Sequence, residues 1–233
     1  MHGDTPYIVR GGQEDIRRIF YSKPELAMTR SITIPGGFGT LRAGQIMGAI
    51  SESTSRLGNY VPYAPESPDS PSWIGVAPAE VPALAFLTTD GASSTSVYVS
   101  KAESYRFAVG DHLAANDVNS DSPVDLGAIT AIDRTTYSTI ALITVSNSNL
   151  TSGYTVAQGG AVYIQTTTAT PFTKAAGVLL TAVQTGTGEN SKGANGVLVF
   201  KNAILYKDAL TVYHADILDD ISGSAISGNL LIL

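Results

Sequence analysis

Thr40–Pro65 (TLRAGQIMGAISESTSRLGNYVPYAP) and Ala175–Leu210 (AAGVLLTAVQTGTGENSKGANGVLVFKNAILYKDAL) read as two halves of one small β domain, held apart by about a hundred residues that read as another. Within them QIMGAI, NYVPY, GVLLTAV and GVLVFKNAILY are short apolar runs bounded by Gly, Asn and Pro, the pattern of strands in a small β fold. Working outward, SITI before PGGFG, SVYVS, YRFAV, LGAITAI, TIALITV, AVYIQ and NLLIL carry the same signature. The glycines are expected where strands bend or backbones approach closely. Helix signals are few. Glu14–Tyr21 (EDIRRIFY) has acidic residues at its start and Ile16, Ile19 and Phe20 at helical spacing, and Ala215–Ile221 (ADILDDI) is closed by Gly223. The expected fold class is all-β, built from barrels or sandwiches.

Pro62–Pro82 (PYAPESPDSPSWIGVAPAEVP) contains most of the eleven prolines. Proline cannot donate to a sheet ladder, so this stretch is expected to be an extended connection, with the Trp73 indole anchoring it against the β body. Beyond it the pattern is self-contained. The block carries turn signals at Asp90-Gly91 and Gly110-Asp111, then two strands joined by a polar turn in VDLGAITAIDRTTYSTIALITV, and closes with AVYIQ. Consecutive strands that pair by hairpins can fold without their flanks, so the block reads as an insertion. The expected division is an N-terminal arm with a short helix over 1–30, a discontinuous β domain over 31–84 plus 167–233, and an inserted β domain over 85–166.

Charged residues are 15% of the chain, against roughly 25% in an average soluble domain, which suits a surface that is covered or sits in an array. There is no cysteine, so neither a disulfide framework nor a thiolate zinc site can form. The N-terminus lacks the basic and apolar regions of a signal peptide, no run is apolar enough for a membrane span, and a soluble product made in the cytoplasm is expected. The net charge of −6 is unevenly placed. Residues 1–42 carry six basic side chains (Arg10, Arg17, Arg18, Lys23, Arg30, Arg42) against four acidic ones (Asp4, Glu14, Asp15, Glu25), while the remainder is strongly acidic. An acidic body is a poor partner for nucleic acid, whose binding rests on phosphate neutralisation.

Chemistry finds little support. PGGFGTLRAG (Pro35–Gly44) lacks the lysine and hydroxyl ending of a phosphate loop and reads as a connection between strands. His2, His112 and His214 are scattered without metal-ligand spacing. Asp216, Asp219 and Asp220 lack the alternating ligands and glycine turn of a calcium loop. No G-x-S-x-G elbow is present. The expectation is a protein without enzymatic activity, catalytic residues, cofactor or metal.

Four stretches carry a resemblance: Arg42-Ala43-Gly44-Gln45-Ile46-Met47-Gly48, Gly58-Asn59-Tyr60-Val61-Pro62-Tyr63, Gly177-Val178-Leu179-Leu180, and Val197-Leu198-Val199-Phe200-Lys201-Asn202-Ala203-Ile204-Leu205-Tyr206. Together they resemble the lambda-type head decoration proteins of tailed bacteriophages. The inner block, with Val97-Tyr98-Val99-Ser100, Ser104–Asp111 and Leu126–Asp133, resembles segments inside larger phage head proteins and departs from the smallest decoration proteins, which lack it. The resemblance implies a small barrel-like or β-tulip-like outer domain and a structural virion protein on the outer capsid surface. Its partner would be the major capsid protein, whose neighbouring copies it cements after head expansion, with self-association into a trimer or other cyclic oligomer and no nucleic-acid or membrane partner. The N-terminus would be an arm that orders on the shell by adding a strand to an exposed edge, with Tyr7, Ile8, Val9, Ile16, Ile19, Phe20 and Tyr21 as apolar contacts and Arg10, Arg17 and Arg18 supplying charge. The alternative is a phage fibre or baseplate β module in which exposed tyrosines such as Tyr98, Tyr105, Tyr137 and Tyr154 bind host surface glycan.

Overall fold

The computed structural model describes residues 19–21, 24–50, 56–63, 83–117, 123–165, 175–210 and 230–233. The protein is all-β. Strands from the two flanking stretches form an antiparallel sheet in the order β1 (Met28–Ile34), β13 (Ala194–Lys201), β11 (Gly177–Leu179), β3 (Ile46–Ala49) and β4 (Tyr60–Pro62). Ile46, Val178 and Val199 form a cross-strand row on one face, and Met47, Leu179 and Leu198 lie on the other. All six are fully buried, each contributing roughly 2 kcal/mol of apolar transfer. Burial on both faces is why these strands read as continuous apolar runs rather than alternating ones. The Arg30 guanidinium of β1 lies 4.9 Å from the Tyr60 ring centroid on β4 and 5.0 Å from that of Phe200, so the two edges curl toward each other into a half-barrel.

Two smaller pairs complete this part. β2 (Gly39–Leu41) is antiparallel to β12 (Val183–Gly186), and β14 (Ala203–Leu205) is parallel to β15 (Leu230–Ile232).

The intervening block forms a six-stranded sheet in the order β5 (Ala85–Phe86), β10 (Ala161–Ile164), β7 (His112–Asn116), β8 (Val124–Asp133), β9 (Ile140–Val145) and β6 (Ser96–Ser100). Irregular register at Leu113/Ala114 and at Ile129/Ala131 bends β8, so that its first half pairs with β7 and its second with β9. An antiparallel bridge between Leu87 and Val99, with the Thr88 N–H donating to the Tyr98 carbonyl at 2.9 Å, brings the two edges together into a nearly closed barrel. Val97, Val99, Leu113, Ala115, Ile143, Val162 and Ile164 fill it and are fully buried.

Several sequence expectations change at this level. YRFAV (Tyr105–Val109) is not a strand. Ser100 caps a one-turn helix, α1 (Lys101–Ser104), by accepting from the Glu103 N–H, and the chain continues in turns through Arg106 and Phe107. Serine followed three residues later by glutamate is a capping box, a local signal stronger than the aromatic character of YRFAV. GVLLTAV breaks between β11 and β12, and Asn202, with φ of 55°, splits GVLVFKNAILY into β13 and β14. The central strand β7, HLAAN, has too little β-branched character to announce itself and was not expected. The expectations for residues 14–18, for Trp73 with the proline-rich stretch after Tyr63, and for Ala215–Ile221 lie outside the described residues.

No described strand pairing joins the two sheets, yet they share one core in which Ile32, Ile34, Met47 and Leu198 are continuous with Val97, Leu113, Ile143 and Ile164. Two arginines cross the join in opposite directions. Arg106, nearly buried, donates to the carbonyls of Leu84 and Gly37, pairs with the buried Glu103 carboxylate at 3.3 Å, and lies over the Phe38 ring. Arg56 reaches the other way, to the fully buried Asp111 carboxylate and, at 3.0 Å, to the Arg106 carbonyl. Gly37 makes the approach possible. Its φ is 103°, and a Cβ there would stand 2.8 Å from the backbone of both Tyr105 and Arg106.

With one core and the Arg56–Asp111 pair spanning the join, urea unfolding is expected to report both sheets in a single transition. Arg106→Met strands the Glu103 carboxylate and should lower the unfolding free energy by about 3 kcal/mol. Two separated transitions would show the join to be peripheral. Tyr163 supplies the converse case, since its buried hydroxyl has no hydrogen-bond partner among the described residues and burial pushes its pKa upward. Tyr163→Phe is expected to leave stability unchanged or raise it by about 1 kcal/mol in the same titration.

Candidate docking surface

The face of the five-stranded sheet turned away from the barrel is covered by a second apolar layer containing Ile19, Phe20, Ala203, Leu205, Leu210 and Leu230 against Ile46, Val178 and Val199. Strand β14 is the middle of this layer. On one side it pairs with β15, where the Leu233 N–H donates to the Leu205 carbonyl at 2.9 Å and the Lys207 N–H to the Leu233 carbonyl at 2.7 Å. On the other side lies the N-terminal segment, with an antiparallel bridge between Phe20 and Leu205. The Tyr21 N–H donates to the Ile204 carbonyl at 2.8 Å, and the Tyr206 N–H to the Ile19 carbonyl at 3.0 Å.

These contacts separate the three described members of the expected arm. Ile19 and Phe20 are 2% and 6% exposed, so their side chains are already covered within the chain, whereas Tyr21 is 55% exposed. Strand β1 also begins at Met28, inside the stretch read as arm. Tyr7, Ile8, Val9, Arg10, Ile16, Arg17 and Arg18 lie outside the described residues. Ile19 is therefore where residues 1–18 join the described body.

Around that point the surface is apolar. Tyr21 meets Tyr206 edge-to-face, with ring centroids 5.1 Å apart and planes at 71°. Leu231 and Leu233 of the β15 segment are both more than half exposed, and Leu26 and Met28, flanking the start of β1, are exposed as well. Beside Tyr206 opens a pocket of about 570 Å³ lined by Ile19, Ala43, Ala182 and Ala209, with Arg42 and Asp208 among its polar groups. Gly44 follows the lining residue Ala43. At φ of 91° its missing Cβ would overlap the Ala209 carbonyl oxygen, so the strand following Arg42 packs directly on the turn after β14. The surface thus offers aromatic and aliphatic area, with Arg42 and Asp208 as charged groups of the pocket, which suits docking of another protein. The sequence reading singles out none of Arg42, Tyr206 and Asp208 as a contact residue. Nothing local distinguishes them, because the pocket is assembled from four chain segments.

The tyrosines of the glycan alternative fall in different places. Tyr98 and Tyr137 meet edge-to-face at 6.2 Å, Tyr105 lies under the Arg134 guanidinium at 4.5 Å, and Tyr154 is half-buried against the main core. His112 stands on β7, while His2, His214 and the Asp216, Asp219 and Asp220 cluster lie outside the described residues. Among the described residues no group of three His, Asp or Glu side chains is placed to hold a metal ion, and no helix is long and apolar enough to cross a membrane.

Comparison with protein-family models, with curated proteins and with solved structures finds no match for this chain.

Removing the buried member of the N-terminal pair should act on folding and removing the exposed one should not. Phe20→Ala is expected to lower the unfolding free energy by about 3 kcal/mol, and Tyr21→Ala by no more than about 0.5 kcal/mol. Equal losses in chemical denaturation would mean that the segment is not held as described.

Proposed function

We propose that this protein is a structural component of a tailed-phage head, of the decoration type, which binds the outer surface of the assembled shell and cements neighbouring major capsid proteins after expansion. The observation that carries the reading is spatial. The four stretches that resemble lambda-type decoration proteins, spread from Arg42 to Tyr206, are brought together as β4, β3, β11 and β13, consecutive neighbours in one sheet, with β14 continuing the last of them.

The reading assigns the docking surface to the shell. The exposed apolar side chains around Tyr21 and Tyr206 supply contact area, and residues 1–18, basic at Arg10, Arg17 and Arg18, join the body at its edge. A modest contact suffices for such a role, because placement around a symmetry axis multiplies it. Self-association into a cyclic oligomer belongs to the same proposal. The chain's net charge of −6 disfavours contact with packaged DNA.

Co-sedimentation with expanded, undecorated shells tests it. Saturation at a fixed ratio to the major capsid protein, with a shell more resistant to heat, is the expected result, and absence of co-sedimentation would remove the proposal. Deleting residues 1–18 should abolish binding and leave the β body folded. Extending the deletion through Tyr21 should also destabilise the body, because it strips Ile19 and Phe20 from the core.

A further inference from the structure

A second feature stands on the six-stranded barrel, away from the sheet assigned to the shell. Val97 and Val99 point into the barrel and are fully buried, so Tyr98 between them lies on the outer face. Tyr137, in the turn joining β8 to β9, packs against Tyr98 with ring planes at 73° and remains 44% exposed. An exposed tyrosine held by a neighbour has lost part of its rotamer freedom before any ligand arrives.

The turn itself is fixed from within. The Asp133 carboxylate accepts from the Thr135 N–H and hydroxyl, both at 2.8 Å, from the Thr136 N–H at 3.2 Å and from the Thr136 hydroxyl. These bonds hold its pKa well below the usual carboxylate range. Arg134 is equally committed. Its Nε donates to the Ser104 hydroxyl at 2.9 Å and its Nη2 to the carbonyls of Ser104 and Phe107, while the guanidinium covers the Tyr105 ring.

Polar atoms of both charged side chains are therefore engaged within the protein. What the turn presents to solvent is the Tyr137 ring and the hydroxyls of Thr135, Thr136, Ser138 and Thr139, all on exposed residues. A hydroxyl that donates to Asp133 retains lone pairs with which to accept.

We infer that the Tyr98–Tyr137 pair and the hydroxyl-bearing turn from Thr135 to Thr139 form a binding site for a neutral saccharide. A pyranose has one face of C–H groups, which packs on an aromatic ring, and a rim of hydroxyls that needs uncharged donors and acceptors, and the site supplies both in a preorganised form. The preference for a neutral ligand follows from the opposite formal charges of Asp133 and Arg134, which cancel over the turn while each side chain is bonded to other groups of the protein. Lys101 is brought beside the turn, its backbone N–H bonding the Thr139 carbonyl at 2.8 Å, so an anionic sugar belongs in the test as the competing ligand. The site is shallow, and a single copy should bind with a Kd on the order of 1 mM, which repetition on an array would raise in avidity. It does not depend on the shell-binding reading.

The test uses the full chain with soluble tetramers of β-linked glucose, galactose and N-acetylglucosamine, and a sulfated heparin oligosaccharide as the anionic arm. Saturation-transfer NMR and titration provide the readout. At least one neutral tetramer should bind, with resonances of Tyr98 and Tyr137 perturbed. Tyr137→Ala should weaken binding by about tenfold or more and Tyr137→Phe should largely preserve it, both melting like the parent. Binding to none of the neutral tetramers, binding to the sulfated oligosaccharide alone, or unchanged affinity in Tyr137→Ala would each overturn the inference. Because no capsid enters the experiment, its outcome is separate from that of shell co-sedimentation.

Discussion

Strand β13 has no polar face in its central part. Leu198 and Val199 point to opposite sides of the sheet and both are fully buried, and the same holds for Val178 and Leu179 on β11 and for Ile46 and Met47 on β3. A sheet of this kind must be covered twice, since leaving either face wet would forfeit several side chains' worth of apolar transfer. The remaining architecture follows from that demand. One face is met by the core that runs on into the six-stranded barrel, and the other by the layer of Ile19, Phe20, β14 and β15.

Covering the first face brings two sheets together that share no described strand pairing. The join is apolar at its centre and is fixed in orientation by polar groups that have few alternatives. Arg106 is nearly buried and reaches the Gly37 carbonyl across the join, and Asp111 is wholly buried and finds Arg56. A buried charge tolerates little displacement of its partner, so these pairs contribute more to the relative orientation of the sheets than to net stability. Gly37 allows the backbones to meet at the distance the ion pairs require.

Covering the second face has a different consequence. A layer only three short segments wide cannot bury all its own side chains, and Tyr21, Tyr206, Leu231 and Leu233 remain at its margin. The exposed apolar area assigned to shell docking is thus the unfinished edge of the layer that completes the core. The proposed saccharide site arises on the other sheet, where barrel closure sets Tyr98 outward and a self-bonded turn holds Tyr137 beside it. One chain then presents two surfaces of unlike chemistry, one aliphatic and suited to protein contact, the other aromatic with hydroxyls.

Much of the fold was legible in the residues themselves. Short apolar runs such as VLVF and IMGAI announced strands, and VDLGAITAIDRTTYSTIALITV announced two strands joined by a turn, because strand character and turn chemistry are written in neighbouring residues. The capping box of Ser100 and Glu103 was equally local, yet the aromatic run after it was read as a strand. Other features had no local trace. HLAAN becomes a central strand because β8 and β10 flank it, and Ile19 and Phe20 are core residues because β14 returns beside them nearly two hundred positions later. The sequence by itself determined the all-β class and most of the strands, through the periodicity and turn residues that each segment carries. Tertiary structure alone decided which segments share a face, which arginine meets which carboxylate, and which tyrosines stay exposed, since those outcomes depend on contacts between residues that the chain keeps far apart.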